Sequence, residues 1–75
     1  MQGYENRFTV LRDGNGRNLV QSFGTLRAAL TQIGHSIVDN GFGTKAQAQR
    51  FAATVRTGSP AFFGPYVFTL IDNQA

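Results

Sequence analysis

Asn40-Gly41-Phe42-Gly43-Thr44-Lys45 joins two segments of helical spacing near the middle of the chain, and its reading decides the fold. Thr44 with Gln47 three residues on is a capping box: the hydroxyl and the amide satisfy N–H groups that have no partner in the first turn of a helix. Asn40-Gly41 is a helix stop, since glycine takes the left-handed conformation that closes a helix. The stretch is therefore expected to be a hinge that ends one helix and starts the next. Its glycines and Lys45 superficially suggest a phosphate loop. The Gly-x-x-x-x-Gly-Lys-Ser/Thr spacing is not met, which leaves at most a weak anion contact at Thr44 and Lys45.

Upstream, Phe23-Gly24-Thr25 echoes Phe42-Gly43-Thr44. Thr25 is a suitable N-cap, and Leu26, Ala29, Leu30, Ile33 and Ile37 follow on one helical face. A competing reading stops this helix at Gly34, makes Ser36-Ile37-Val38-Asp39 a strand, and turns the echo into a degenerate strand–helix repeat. The single helix is preferred because Ile33 and Ile37 continue the apolar stripe. Before it, Arg7–Arg12 reads as a strand, Asp13-Gly14-Asn15-Gly16 as a tight turn, and Arg17–Phe23 as the returning strand.

Downstream, Ala48, Phe51, Ala52 and Val55 form the core face of a second helix, with Lys45, Gln49 and Arg56 outside. Gly58 is its expected end, with Pro60 just beyond. Phe42 is expected to pack back on the first turn. Ser59–Pro65 reads as a stiff, aromatic-rich loop. Tyr66–Ile71 is the most apolar strand, a pattern of a central strand or one covered on both faces. Residues 1–6 and 73–75 are polar and expected to fray. The prediction is an α+β fold: one small domain over residues 1–75, ordered ββααβ. A three-stranded, mainly antiparallel sheet carries two helices on one face.

The chain has 75 residues, and 41% are hydrophobic, including seven Phe and two Tyr, which is enough for a single core and excludes disorder. Cysteine is absent, so disulfides, thiolate metal sites and a cysteine nucleophile are excluded. No apolar run reaches the roughly 18–20 residues that span a bilayer. Residues 1–7 lack the apolar core of a signal peptide. The expectation is a cytoplasmic protein with no membrane partner.

Chemistry is thinly represented. Ser22, His35 and Asp39 make a triad only on paper, and His35, the one histidine, reads as a solvated side chain. The acids Glu5, Asp13, Asp39 and Asp72 show no spacing suited to acid–base or two-metal work. The expectation is no enzyme, no cofactor and no metal.

Binding residues are better represented. Phe62, Phe63 and Tyr66, between and beside two prolines, suggest a preorganised aromatic knob, with Arg12 and Arg17 flanking the hairpin turn as further partner contacts. One of the two phenylalanines is expected to be buried and the other exposed. Aromatic and arginine side chains dominate interface energetics. Net charge is +3, from seven basic and four acidic residues. Arg27, Lys45, Arg50 and Arg56 would form a positive patch if the outer helix faces adjoin. The leading expectation is a non-enzymatic interaction protein that docks on a larger protein or nucleoprotein complex and acts by steric occlusion. Chains of this size are frequent among phage and mobile-element accessory proteins, including anti-CRISPR-like inhibitors of host defence complexes. Two alternatives stand beside it: a small DNA- or RNA-binding protein using the basic patch, and a homodimeric structural module.

Overall fold

The computed structural model describes residues 7–74. The expected fraying of residues 1–6 and of Ala75 lies outside them. Six elements follow in order: β1 (Phe8–Gly14), β2 (Arg17–Phe23), α1 (Leu26–Asp39), α2 (Lys45–Ala52), β3 (Ala61–Phe63) and β4 (Tyr66–Asp72). The strands form one antiparallel sheet in the order β2-β1-β4-β3.

The sheet therefore has four strands where the sequence predicts three, and the order is ββααββ. The added strand comes from the stretch read as a loop. Ala61, Phe62 and Phe63 pair with Phe68, Val67 and Tyr66 across the two-residue turn Gly64-Pro65. Pro60 and Pro65 flank this strand and do not interrupt it, so their missing N–H groups cost the ladder nothing.

The hinge stretch ends α1 with paired backbone bonds. The Gly41 N–H donates to the Val38 carbonyl and the Phe42 N–H to the Ile37 carbonyl, each at 3.0 Å, with Gly41 at φ 77°. This is the closure that a left-handed glycine permits. Thr44 then opens α2. Its Oγ1 accepts from the Gln47 N–H at 3.2 Å while its own N–H donates to Gln47 Oε1 at 2.8 Å. Gly43 lies between, where a Cβ would come within 3.0 Å of both Ile37 and Phe63. The ring of Phe42 stands edge-on to Tyr66, with centroids 5.3 Å apart.

α1 runs unbroken through Gly34, so Ser36–Asp39 is helix and the strand–helix repeat is ruled out. Ile33 and Ile37 are fully buried and hold that last turn to the sheet. Thr25 caps the start, accepting from the Ala28 N–H at 3.1 Å. α2 ends earlier than its apolar spacing predicts, at Ala52, well before Gly58. The Thr54 hydroxyl donates to the Phe51 carbonyl at 2.7 Å and turns the chain. Val55 is still buried, but from the irregular stretch just after that turn, and Thr57 beyond it bridges to Leu70.

One core lies between the helices and one face of the sheet. Phe8, Val10, Tyr66, Phe68 and Leu70 meet Ala29, Ile33, Ile37, Ala48 and Val55 there. Asn73 and Gln74, expected to be loose, are tied back. The Asn73 N–H donates to the Arg7 carbonyl at 2.7 Å, and the Gln74 N–H to Asp72 Oδ1 at 3.0 Å.

Arg7 and Asp72 close the sheet's end with an exposed ion pair at 3.2 Å. Hydrogen bonds from Arg7 and from the Gln74 N–H hold the Asp72 carboxyl below the usual carboxylate range. A carboxyl whose folded value is lowered favours the folded state above its unfolded value, and that contribution is lost as pH falls through the lowered one. Asp72→Asn should therefore melt slightly below wild type at neutral pH, and the gap should close as pH falls below about 4. Paired thermal melts across that range check it. A gap that widens in acid would contradict the assignment.

Candidate functional site

Alternation along each strand sends every second side chain to the face away from the helices. Register makes the two faces consistent, because directly paired residues share a face. Leu11 pairs with Val20 and Thr69, Thr9 with Ser22 and Ile71, and Val67 with Asp13 and Phe62. These residues are the outer face of the sheet, and among the described residues no helix lies over it.

This face is mixed: the row Val20-Leu11 ends on Thr69, and the row Phe62-Val67 continues into Asp13 and Asn18. On the two edge strands Val20 is 65% exposed and Phe62 70%, while Leu11 beside Val20, Val67 beside Phe62, and Ile71 beside Thr9 are half-buried. The polar end is satisfied internally: Thr9 and Ser22 hydroxyls lie 3.3 Å apart, and Asn73 Nδ2 donates to Thr9 Oγ1 at 2.7 Å. Within the strands, the face carries one charge, the carboxylate of Asp13.

The aromatic set is split between the two faces. Phe62 points outward. Phe63 points to the helices, with its ring centroid 5.1 Å from that of Phe51. Tyr66 is 2% exposed, packed between Phe42 and Phe68. A three-residue strand with a tight turn alternates its side chains, so the three aromatics do not form one knob. Arg12 lies on the helix side, its guanidinium carbon 4.7 Å from the Tyr66 ring centroid and Nη1 3.4 Å from Ser36 Oγ. Its Nε is buried without a hydrogen-bond partner among the described residues. Arg12 thus ties α1 to the sheet through Ser36 while its guanidinium lies on the Tyr66 ring of β4. Arg17 is exposed at the start of β2, paired with Gly14 on the helix side of the register.

The four basic residues assigned to a patch are also separated. Arg27 and Lys45 line one groove between α1 and α2. Arg50 is exposed in the last turn of α2 and does not line that groove. Arg56 donates to the carbonyls of Ala53 and Val55 at 3.0 and 3.1 Å, so its charge caps the end of α2. Ser22 lies on the outer face of β2, on the far side of the sheet from His35 and Asp39 in α1, so the three do not meet. Among the described residues no cluster of three or more His, Cys, Asp or Glu could hold a metal. No described helix is long and apolar enough to cross a membrane.

The outer-face residues Leu11, Val20, Val67 and Ile71 were not singled out by sequence reasoning. Their signal was present as the odd-numbered positions of β4 and the lone apolar pair Leu19-Val20 in an otherwise polar β2. It identifies the residues but not which face the helices leave open. No protein-family model, curated protein or solved structure matches this chain.

Proposed function

We propose that this chain is a non-enzymatic interaction protein that docks on a larger protein through the outer face of its sheet and occludes a site there. The observation that carries this is two uncovered apolar pairs on that face, Val20 with Leu11 and Phe62 with Val67, with Phe62 as the most exposed anchor. Exposed apolar patches on small proteins mark contact sites, and aromatic anchors concentrate their energy.

Charge and area support the choice of partner. A nucleic-acid site needs cations against phosphate, whereas the strands of this face contribute only Asp13. Three seven-residue strands and one of three residues, at about 3.4 Å per residue and about 4.8 Å spacing, give a face of roughly 400 Å². A standard stable interface takes about 800 Å² from each partner. Two copies meeting face to face fall short of that, whereas a larger protein can also cover the rim of the sheet.

Phe62→Ala and Val20→Lys should each leave stability within about 0.5 kcal/mol of wild type, since both sites are exposed. Each should weaken the partner complex at least about tenfold. The check is affinity capture from expressing cells under nuclease, wild type against each variant, with bound protein quantified. A protein retained equally by all three would end the assignment of this face, and loss of all bound protein on nuclease treatment would favour nucleic acid instead.

A further inference from the structure

We infer that the groove between α1 and α2 is a second docking site, shaped for an acidic amphipathic helix of a partner protein. It lies on the opposite side of the molecule from the outer sheet face and is independent of it. On α1, Leu26, Leu30, Gly34 and Val38 recur every fourth residue along one wall. At 1.5 Å per residue they span about 18 Å, three helical turns. Ala48 and Ala52 of α2 form the other wall, and the groove encloses about 710 Å³.

The floor is apolar and low. A Cβ on Gly34 would touch the Ala48 Cβ at 3.9 Å, so the two helices approach closely there. Leu26 and Val38 stand 44% and 38% exposed near the two ends. This is the form of a groove that receives the apolar stripe of a helix at i, i+3, i+4 and i+7.

The rim supplies the sign. Arg27 from α1 and Lys45 from α2 line it with positive charge, and among the described residues no carboxylate does. Neither Arg27 nor Lys45 makes an ion pair with any described residue, since the ion pair of the described chain is Arg7–Asp72. The complement is a helix whose apolar stripe is flanked by Glu or Asp. A second copy of this chain does not supply one: Asp39 is the one acid of α1, and α2 has none. Nucleic acid would set phosphates over an apolar floor with cations only at its edges.

The probe is a pair of synthetic peptides of about 16 residues, long enough to form an isolated helix. Each carries leucine at the stripe positions; one is flanked by Glu, the other by Lys. Each is titrated into the full chain and followed by methyl and amide NMR. The Glu peptide should bind at least about tenfold more tightly than the Lys peptide. Its shifts should fall on Leu26, Leu30, Val38 and Ala48 and spare Val20 and Val67. Its affinity should drop several-fold between about 0.05 and 0.3 M salt. Arg27→Glu combined with Lys45→Glu should reverse the preference, and Val38→Lys, at an exposed position, should weaken both peptides without unfolding the chain. Equal binding of the two peptides, shifts confined to the outer sheet face, or no saturable shift would overturn the inference. So would an oligonucleotide that perturbs the same methyls more strongly, or concentration-dependent self-association through them.

Discussion

Gly14→Ala should lower the melting temperature by more than about 12 °C, the largest backbone effect expected in the chain. Gly14 ends β1 at φ 128°, a conformation that side-chain-bearing residues rarely adopt. The space is closed as well. A Cβ there would lie 1.9 Å from the Pro65 carbonyl oxygen and 3.2 Å from the Tyr66 Cα. Both are backbone atoms, so no side-chain rotation relieves the overlap. The end of β1 would have to part from the β3–β4 turn, which loosens the cover over Tyr66. Strain and lost packing together come to more than about 3 kcal/mol. A 75-residue domain has only about 4–11 kcal/mol in total. Gly16→Ala is the control: φ is 76° and nothing lies within 4 Å of the added carbon. It should cost only about 1–2 kcal/mol. Equal loss at the two glycines would show that the contact with Pro65 contributes nothing.

Phe68→Ala should cost about 3–5 kcal/mol. Phe68 is the third residue of β4, with no exposed surface, and its ring lies 5.8 Å from Phe51 and 5.7 Å from Tyr66. Truncation leaves a cavity between the sheet and both helices, and a core this small has few side chains to fill it. Guanidinium unfolding should show a lower midpoint at an unchanged slope. The same substitution at Phe62, whose strand neighbour is Val67, should leave the midpoint in place. Two phenylalanines in one hairpin thus separate folding from docking. A Phe62→Ala midpoint as low as that of Phe68→Ala would mean that the outer face is a structural layer.

The elements that were legible in the sequence are those with local chemistry. The turn at Asp13–Gly16 and the caps at Thr25 and Thr44 each consist of side chains acting on backbone a few residues away, so spacing alone reveals them. β3 was not legible because three residues carry almost no periodic signal and the two flanking prolines read as loop. The end of α2 is not legible because Val55 keeps helical spacing and burial while lying in irregular chain beyond the turn at 53–54. The outer face was hidden in the apolar run of β4. Val67 and Ile71 are apolar there without being covered, and composition cannot tell a strand buried on both faces from one with an adhesive face. The groove depends on how α1 crosses α2, so the approach of Arg27 and Lys45 to one trough, without Arg50 or Arg56, is a tertiary fact.

Two surfaces of different character follow from this arrangement: an open sheet face with exposed apolar side chains and one carboxylate, and a helix groove with Arg27 and Lys45 on its rim. The first carries the proposed docking function. It is tested most directly by site-specific photocrosslinking in expressing cells, comparing Phe62→benzoylphenylalanine with Arg50→benzoylphenylalanine as a helix-side control. Position 62 should give a discrete, nuclease-resistant adduct with one protein, and position 50 none with that protein. An adduct from position 50 with none from position 62, or adducts that vanish with nuclease, would contradict docking through the open face of the sheet.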